Sequence, residues 1–152
     1  MAPLKEKGDL AEMKVACDLM DRGWGIAVPW GENCDFDLIA YRGEELQRIQ
    51  VKYTRARNDV LPVRCLSQSL TNGRVRQSKR YTAATIDWIA VYEPSLDRCY
   101  YVPAVELGDG RNVIHLRLAP TRNCQRRGIR FAEDYSAFEP NSPRQSKLTV
   151  CE

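Results

Sequence analysis

Between residues 9 and 22 apolar side chains recur at the spacing of a helix. At about 100° per residue, Leu10, Met13, Ala16, Cys17, Leu19 and Met20 gather on one wide face, and Lys14, Asp18, Asp21 and Arg22 lie opposite. Asp9 suits the N-cap and Gly23 the stop. Glu12 falls inside the apolar arc, where a carboxylate requires a partner. A buried arginine, a backbone cap or a metal would serve, and negative charge near a helix N-terminus is favourable in itself.

After a short strand near Gly25–Val28 and a loop, the period changes from 3.6 to 2. "DFDLIAYRGEELQRIQVKYT" predicts a β-hairpin, with strands over Phe36–Arg42 and Gln47–Thr54 and a turn through Gly43–Leu46. Ile49, Val51 and Tyr53 alternate with Gln50, Lys52 and Thr54, so one face is expected to be buried and the other polar. If Arg42 faces Gln47, Asp37 lies opposite Lys52 and Ile39 opposite Gln50. Asp37, Gln50 and Lys52 then share the polar face, a placement that a one-residue slip would destroy. Residues 55–80 carry turn signals and suggest a long loop or loose hairpin. "RYTAAT" reads as a helical turn, "IDWIAVY", "RCYYVPAV" and "NVIHLRL" as strands, and "FAEDYSAF" as a short helix or edge segment. The pattern predicts one α/β domain over residues 1–138, a mixed sheet flanked by helices. Residues 139–152 form a turn-rich tail.

Composition narrows the function. No run approaches the roughly 18 apolar residues of a membrane span, and the polar start does not resemble a secretory signal, so a cytoplasmic location is expected. The six cysteines lie far apart with no C-x-x-C pair, which argues against structural zinc and, with no secretory signal, against a disulfide framework. His115 is the only histidine, so histidine-metal nucleases, Ser-His-Asp hydrolases and two-histidine zinc sites are disfavoured.

The net charge of +3 is small, but its distribution is uneven. Residues 52–80 sum to +7 and residues 111–130 to +6, the latter without one acidic residue. Arginine dominates both blocks, and its planar fork grips phosphate in a bidentate fashion. Single charge runs are usually solvated faces. Two acid-poor arginine blocks alternating with acidic segments point to a polyanionic partner. Arg55, Arg57, Arg74, Arg76, Lys79 and Arg80 in the first, and Arg122, Arg126, Arg127 and Arg130 in the second, are the candidate DNA-binding cations.

The polar hairpin face supplies matching chemistry. Phosphodiester hydrolysis needs a nucleophilic water, neutralised phosphate charge and help for the departing oxygen. A hard divalent cation supplies much of this if protein oxygens hold it and leave positions open. Asp37 would be the principal ligand, with the Gln50 amide oxygen and the Val51 backbone carbonyl beside it. Lys52 would stand near the scissile phosphate, orienting the water or stabilising the pentavalent transition state. Glu12 could hold a water or a second ion.

The ordered set "KGDLAE" on a helix, "FDL" on a strand and "QVKYT" on its hairpin partner resembles the PD-(D/E)XK nuclease superfamily. The resemblance is to the small group I intron homing endonucleases of that fold, in which Gln replaces the acid before x-Lys. "RYTAATIDWIAVYEPSLDRCYYVP" and "PTRNCQRRGIRFAEDY" extend the likeness over most of residues 7–138. It implies Asp37 as metal ligand, Gln50 and Lys52 as the Q-x-K pair, and Glu12 as the helix acid. It also implies Mg²⁺, cleavage of double-stranded DNA, and a homo-oligomer (dimer or tetramer) that brings two sites to the two strands. Cys34, Asp35 and Phe36 stand where the family carries proline, which makes Asp35 a rival to Asp37. A Holliday-junction resolvase of the same fold would share the site. An inactive DNA-binding module would keep the basic blocks but have no need of aligned Asp37, Gln50 and Lys52.

Overall fold

The computed structural model describes residues 3–141, the side chains of Leu70, Thr71 and Arg76 excepted. Residues 142–152 of the expected tail lie outside the described residues. Helix α1 (Leu4–Asp21) is followed by strands β1 (Gly25–Ala27), β2 (Leu38–Arg42) and β3 (Glu45–Tyr53). Next come β4 (Val60–Arg64), β5 (Leu66–Thr71), β6 (Arg74–Arg80), β7 (Trp88–Glu93) and β8 (Arg98–Pro103). A 3₁₀ turn (Ala104–Leu107), β9 (Val113–Arg117), β10 (Arg130–Phe131) and a second 3₁₀ turn (Ala132–Tyr135) complete the order.

The central sheet runs β1-β2-β3-β7-β8. Only the β3–β7 pair is parallel, so the sheet is mixed, as expected. Parallel neighbours need a long crossover. Here strands, not a helix, provide it: β4 joins a small sheet, β10-β9-β4, and β5 and β6 form a separate two-stranded ribbon. The arginine-rich segment, expected as a long loop or loose hairpin, is largely strand, and β5–β6 is such a hairpin. Asp87 fixes the start of the parallel pair, accepting bonds from the Arg48 backbone N–H at 2.7 Å and from Arg48 Nε at 3.0 Å.

The central sheet is covered on both faces. On one, α1 packs Ala11, Val15 and Leu19 against Leu38, Ala40, Ile49, Val51, Trp88 and Ala90. On the other, Ile89, Val91, Tyr100 and Val102 meet Leu61, Val63, Ile114 and Leu116 of the small sheet. Hence every residue of β7 is buried, the pattern of a strand packed on two sides. Phe138 closes the α1 side, its ring 4.8 Å from Trp88, 5.1 Å from Trp24 and 5.2 Å from Tyr101.

Three local expectations are corrected. The helix begins at Leu4 after Pro3, with no side-chain cap, so Asp9 lies inside it. Its buried row is Ala11–Val15–Leu19, whereas Leu10, Met13 and Met20 are 42%, 67% and 61% exposed. Small residues at i and i+4 let the helix lie close to the sheet, and the longer apolar side chains are turned outward. The β2–β3 turn has only two residues, with Gly43 at φ +60° in its first central position, as a type II′ turn requires. Arg42 therefore faces Glu45, and Ile39 faces Arg48. The slip from the expected register is two residues, so every side chain keeps its predicted face.

Candidate active site

Asp37 directly precedes β2, and its backbone N–H donates to the Ile49 carbonyl at 2.9 Å. This extends the hairpin register by one step and sets Asp37 level with Gln50 rather than Lys52. Asp37 Oδ2 accepts from the Val51 N–H at 2.9 Å and from Gln50 Nε2 at 2.6 Å. Lys52 follows two residues along β3, on the same face as Gln50. The alternation predicts a polar face here, for which solvation is the plainest reading. Instead Gln50 is 8% exposed and Lys52 half-buried, because the small sheet overlies this part of the central sheet.

Burial sets the electrostatics. It raises the Asp37 carboxyl above its ordinary value, against the opposing effects of the Val51 hydrogen bond and the Lys52 charge. It lowers the Lys52 ammonium, with Asp37 opposing and Arg64 reinforcing that shift. Lys52 Nζ also lies 5.0 Å from the centre of the Tyr81 ring. Glu12 is raised by burial first and then by the charges of Asp37 and Asp9. Glu12 and Asp37 line one open cleft of about 300 Å³, walled by Phe36 and the 28–34 loop. The helix acid predicted from the apolar arc thus does reach the hairpin carboxylate.

Asp35, the rival ligand, is engaged by Lys79 Nζ at 2.6 Å. A larger cavity, of about 570 Å³, lies beside the last turns of α1. Two of its three carboxylates are committed to structure. Asp18 accepts from Tyr101 and from Arg22 Nε at 3.0 Å, and Asp97 from Lys14 at 2.8 Å and Tyr92 at 2.7 Å.

The donors at Asp37 fit a hard divalent cation. Gln50 Nε2 lies 2.6 Å from Asp37 Oδ2 and 3.3 Å from the Val51 carbonyl oxygen. Two oxygens, one from the residue before β2 and one from β3, therefore converge on a point held by the positive end of an amide dipole. Rotating the amide end for end presents Oε1 to the same point. Among the described residues no cluster of three His, Cys, Asp or Glu side chains is present to hold a metal. One or two carboxylates, an amide and a carbonyl form a sparse oxygen set, the kind that leaves Mg²⁺ several open positions.

The cations divide into three groups. Arg55 and Arg57 are exposed on the loop after β3, and Arg74, Lys79 and Arg80 on β6. Arg122, Arg126 and Arg127 are exposed in the loop before β10, with the Arg126 guanidinium 5.1 Å from the Phe131 ring centre. Arg80 bonds Asn112 at 2.8 Å, and Arg130 pairs with Glu106 at 3.3 Å, so both also tie loops together. The side chain of Arg76 lies outside the described residues. Three residues near the centre had not been singled out: Arg64, whose charge reaches Lys52; Arg111, which with Lys52 and Arg130 acts on the buried Cys65 thiol; and Tyr81 beneath Lys52. Burial nevertheless pushes that thiol up to about 11. The regular apolar alternation of Leu61, Val63 and Cys65 was the available signal for β4, and hence for an outward Arg64.

Comparison with known proteins places this arrangement. A protein-family model described as PD-(D/E)XK endonuclease matches residues 3–138. A search of curated protein sequences gave no match. Among solved structures, the bacterial homing endonuclease I-Ssp6803I aligns with a TM-score of 0.71 at 21% identity, over 88% of this chain and 88% of its own. A Holliday-junction resolvase, Hjc of Archaeoglobus fulgidus, aligns with a TM-score of 0.46 at 16% identity, over 88% of this chain and 98% of its own.

Proposed function

The chain belongs to the PD-(D/E)XK endonuclease family, and from that premise we propose that it is a Mg²⁺-dependent, sequence-specific homing-type endonuclease acting on double-stranded DNA. The observation that carries the reading is the convergence of Asp37 Oδ2 and the Val51 carbonyl on the Gln50 amide, with Lys52 two residues along the same strand.

Asp37, the Val51 carbonyl and the Gln50 amide oxygen would hold the ion, with Glu12 across the cleft. When bound, the ion supplies Lewis-acid polarisation of the scissile phosphate and lowers the pKa of water at the centre. The remaining work belongs to the chain. Lys52 Nζ hydrogen-bonds the attacking water and a phosphate oxygen, so positive charge lies where negative charge grows as the new P–O bond forms and the old one breaks. Burial deprives this ammonium of water, which strengthens its interaction with the transition state. Glu12, raised above ordinary glutamate, accepts a hydrogen bond from water entering the cleft. Arg64 and Arg111 add positive potential along the path of the phosphate backbone, and the exposed arginines of both blocks extend it.

Each chain carries one such centre, and cutting both strands of a duplex requires two. A homo-oligomer follows, and the outward Leu10, Met13 and Met20 offer apolar surface for it. The test is to offer purified protein a randomised duplex pool and a pool of immobile four-way junctions, each with Mg²⁺ and with EDTA. Mg²⁺-dependent ends sharing one long motif in the duplex pool are expected. Cleavage confined to junctions, without sequence preference, would replace the homing reading with resolvase activity.

A further inference from the structure

The β5–β6 ribbon belongs to neither packed sheet, and its described outer residues Ser69, Arg74, Val75 and Gln77 are exposed. Two strands of six and seven residues are joined at Asn72–Gly73, with both turn residues at positive φ, +52° and +73°. The pairing Ser67↔Lys79 and Ser69↔Gln77 puts these four residues on one face. The pairing Leu66↔Arg80 and Gln68↔Ser78 fills the other. The base of the ribbon is tied down on both sides. Lys79 bonds Asp35 at 2.6 Å and Ser67 lies beside Tyr81, so the first face turns toward the catalytic cleft. On the second face, Arg80 bonds Asn112 and packs against Gly110, while Gln68 accepts from Arg64 at 2.9 Å. Farther out, Ser69 and Gln77 are exposed.

Solvated phosphate-binding surfaces are built from cations. A face that places a carboxamide and a hydroxyl outward of Lys79 offers, in addition, the chemistry that base edges match. Gln presents a donor and an acceptor together, matching adenine N7 and N6 in the major groove, and Ser accepts or donates to any base. A two-stranded ribbon fits the major groove, about 12 Å wide, and is excluded from the minor groove, about 6 Å wide. We propose that β5–β6 enters the major groove beside the cut and reads bases there through Gln77 and Ser69. This rests on the duplex-DNA reading above for its substrate. Tyr81 marks the catalytic end, its ring 5.0 Å from Lys52 Nζ. Gln77 is four residues back along an extended chain, so it lies no more than about 13 Å from Tyr81. The base pair it reads falls within roughly four base pairs of the cut, at about 3.4 Å per step.

The test compares wild type, Gln77→Ala and Gln77→Arg on one randomised duplex pool, by binding selection in EDTA and by sequencing the ends made with Mg²⁺. For Gln77→Ala, loss of about 5- to 150-fold preference at one base pair, with the rest of the motif unchanged, is expected. For Gln77→Arg, the preferred base at that pair shifts toward guanine. An unaltered motif in both variants, or equal weakening on all sequences, overturns the proposal. So does a change in oligomeric state in place of a change in motif. If wild type binds a motif without cutting, the nuclease reading fails, while the binding arm still decides the role of the ribbon. If wild type binds duplex with no preference, base reading by the ribbon is refuted whatever the cutting shows.

Discussion

Replacing Lys52 with Met separates chemistry from folding and from binding. Met keeps an unbranched side chain of similar length beside Tyr81 and removes the ammonium. The structure assigns opposite signs to the consequences. Burial already lowers the Lys52 pKa, so the folded protein holds this proton less well than the unfolded chain does. Between that lowered value and the ordinary lysine value the unfolded state binds more protons, and stability rises with pH across this window. Below it the charged amine is a constant burden on the fold. The Lys52→Met variant therefore raises or preserves the melting temperature at neutral pH, less about 0.5–2 kcal/mol for the lost cation–π contact. Chemistry moves the other way. One preorganised donor aimed at developing charge is worth about 100- to 1,000-fold in rate. Single-turnover cleavage of the target duplex with saturating Mg²⁺ should fall by that factor, while affinity in EDTA changes by less than about threefold, because exposed arginines carry the phosphate contacts. A rate within about fivefold of wild type, in a folded variant that binds DNA, would refute the role given to Lys52. A rate loss matched by the loss in affinity would make Lys52 a binding residue.

Asp37→Asn should abolish Mg²⁺-dependent cleavage and raise the melting temperature at neutral pH. The folded-state pKa of Asp37 is raised, so wild-type stability falls as pH climbs from the ordinary aspartate value to the raised one. The advantage of the variant therefore disappears in acid, and thermal melts across pH 3 to 8 check the sign. Replacing both Arg126 and Arg127 with Ala should weaken DNA binding and lower the slope of log affinity against log salt by about 1.8. An unchanged slope removes that loop from the interface. Glu93, 1% exposed, accepts from the Ala56 N–H at 3.2 Å and the Leu96 N–H at 2.7 Å. Glu93→Leu should cost about 1–3 kcal/mol in denaturant unfolding, since both amides lose their acceptor.

The face that carries the site was legible in the sequence because side-chain alternation has a period of 2. The β2–β3 hairpin was misregistered by two residues, yet Asp37, Gln50 and Lys52 stayed together, since only an odd slip would have parted them. The apolar arc of α1 was misjudged for a related reason. Periodicity locates apolar residues, but it does not reveal that the sheet selects the row Ala11–Val15–Leu19 and leaves Met13 and Met20 turned outward. Glu12 was still found, because it borders both arcs. The crossover was the least legible part. Its strands are short, polar and arginine-rich, and they are held by partners distant in sequence, such as β9 for β4. Local pattern could mark an outward Arg64 and a loose hairpin, but that Arg64 acts on Lys52 and Arg111 on Cys65 depends on that long-range pairing.

The most direct measurement is Mg²⁺-titrated cleavage of one randomised duplex pool by wild type and by Asp37→Asn, read by sequencing the new ends. The account predicts ends that share a motif, rise with Mg²⁺, vanish in EDTA and are lost in the variant while its duplex binding persists. Ends that ignore Mg²⁺, or that persist in Asp37→Asn, would contradict it.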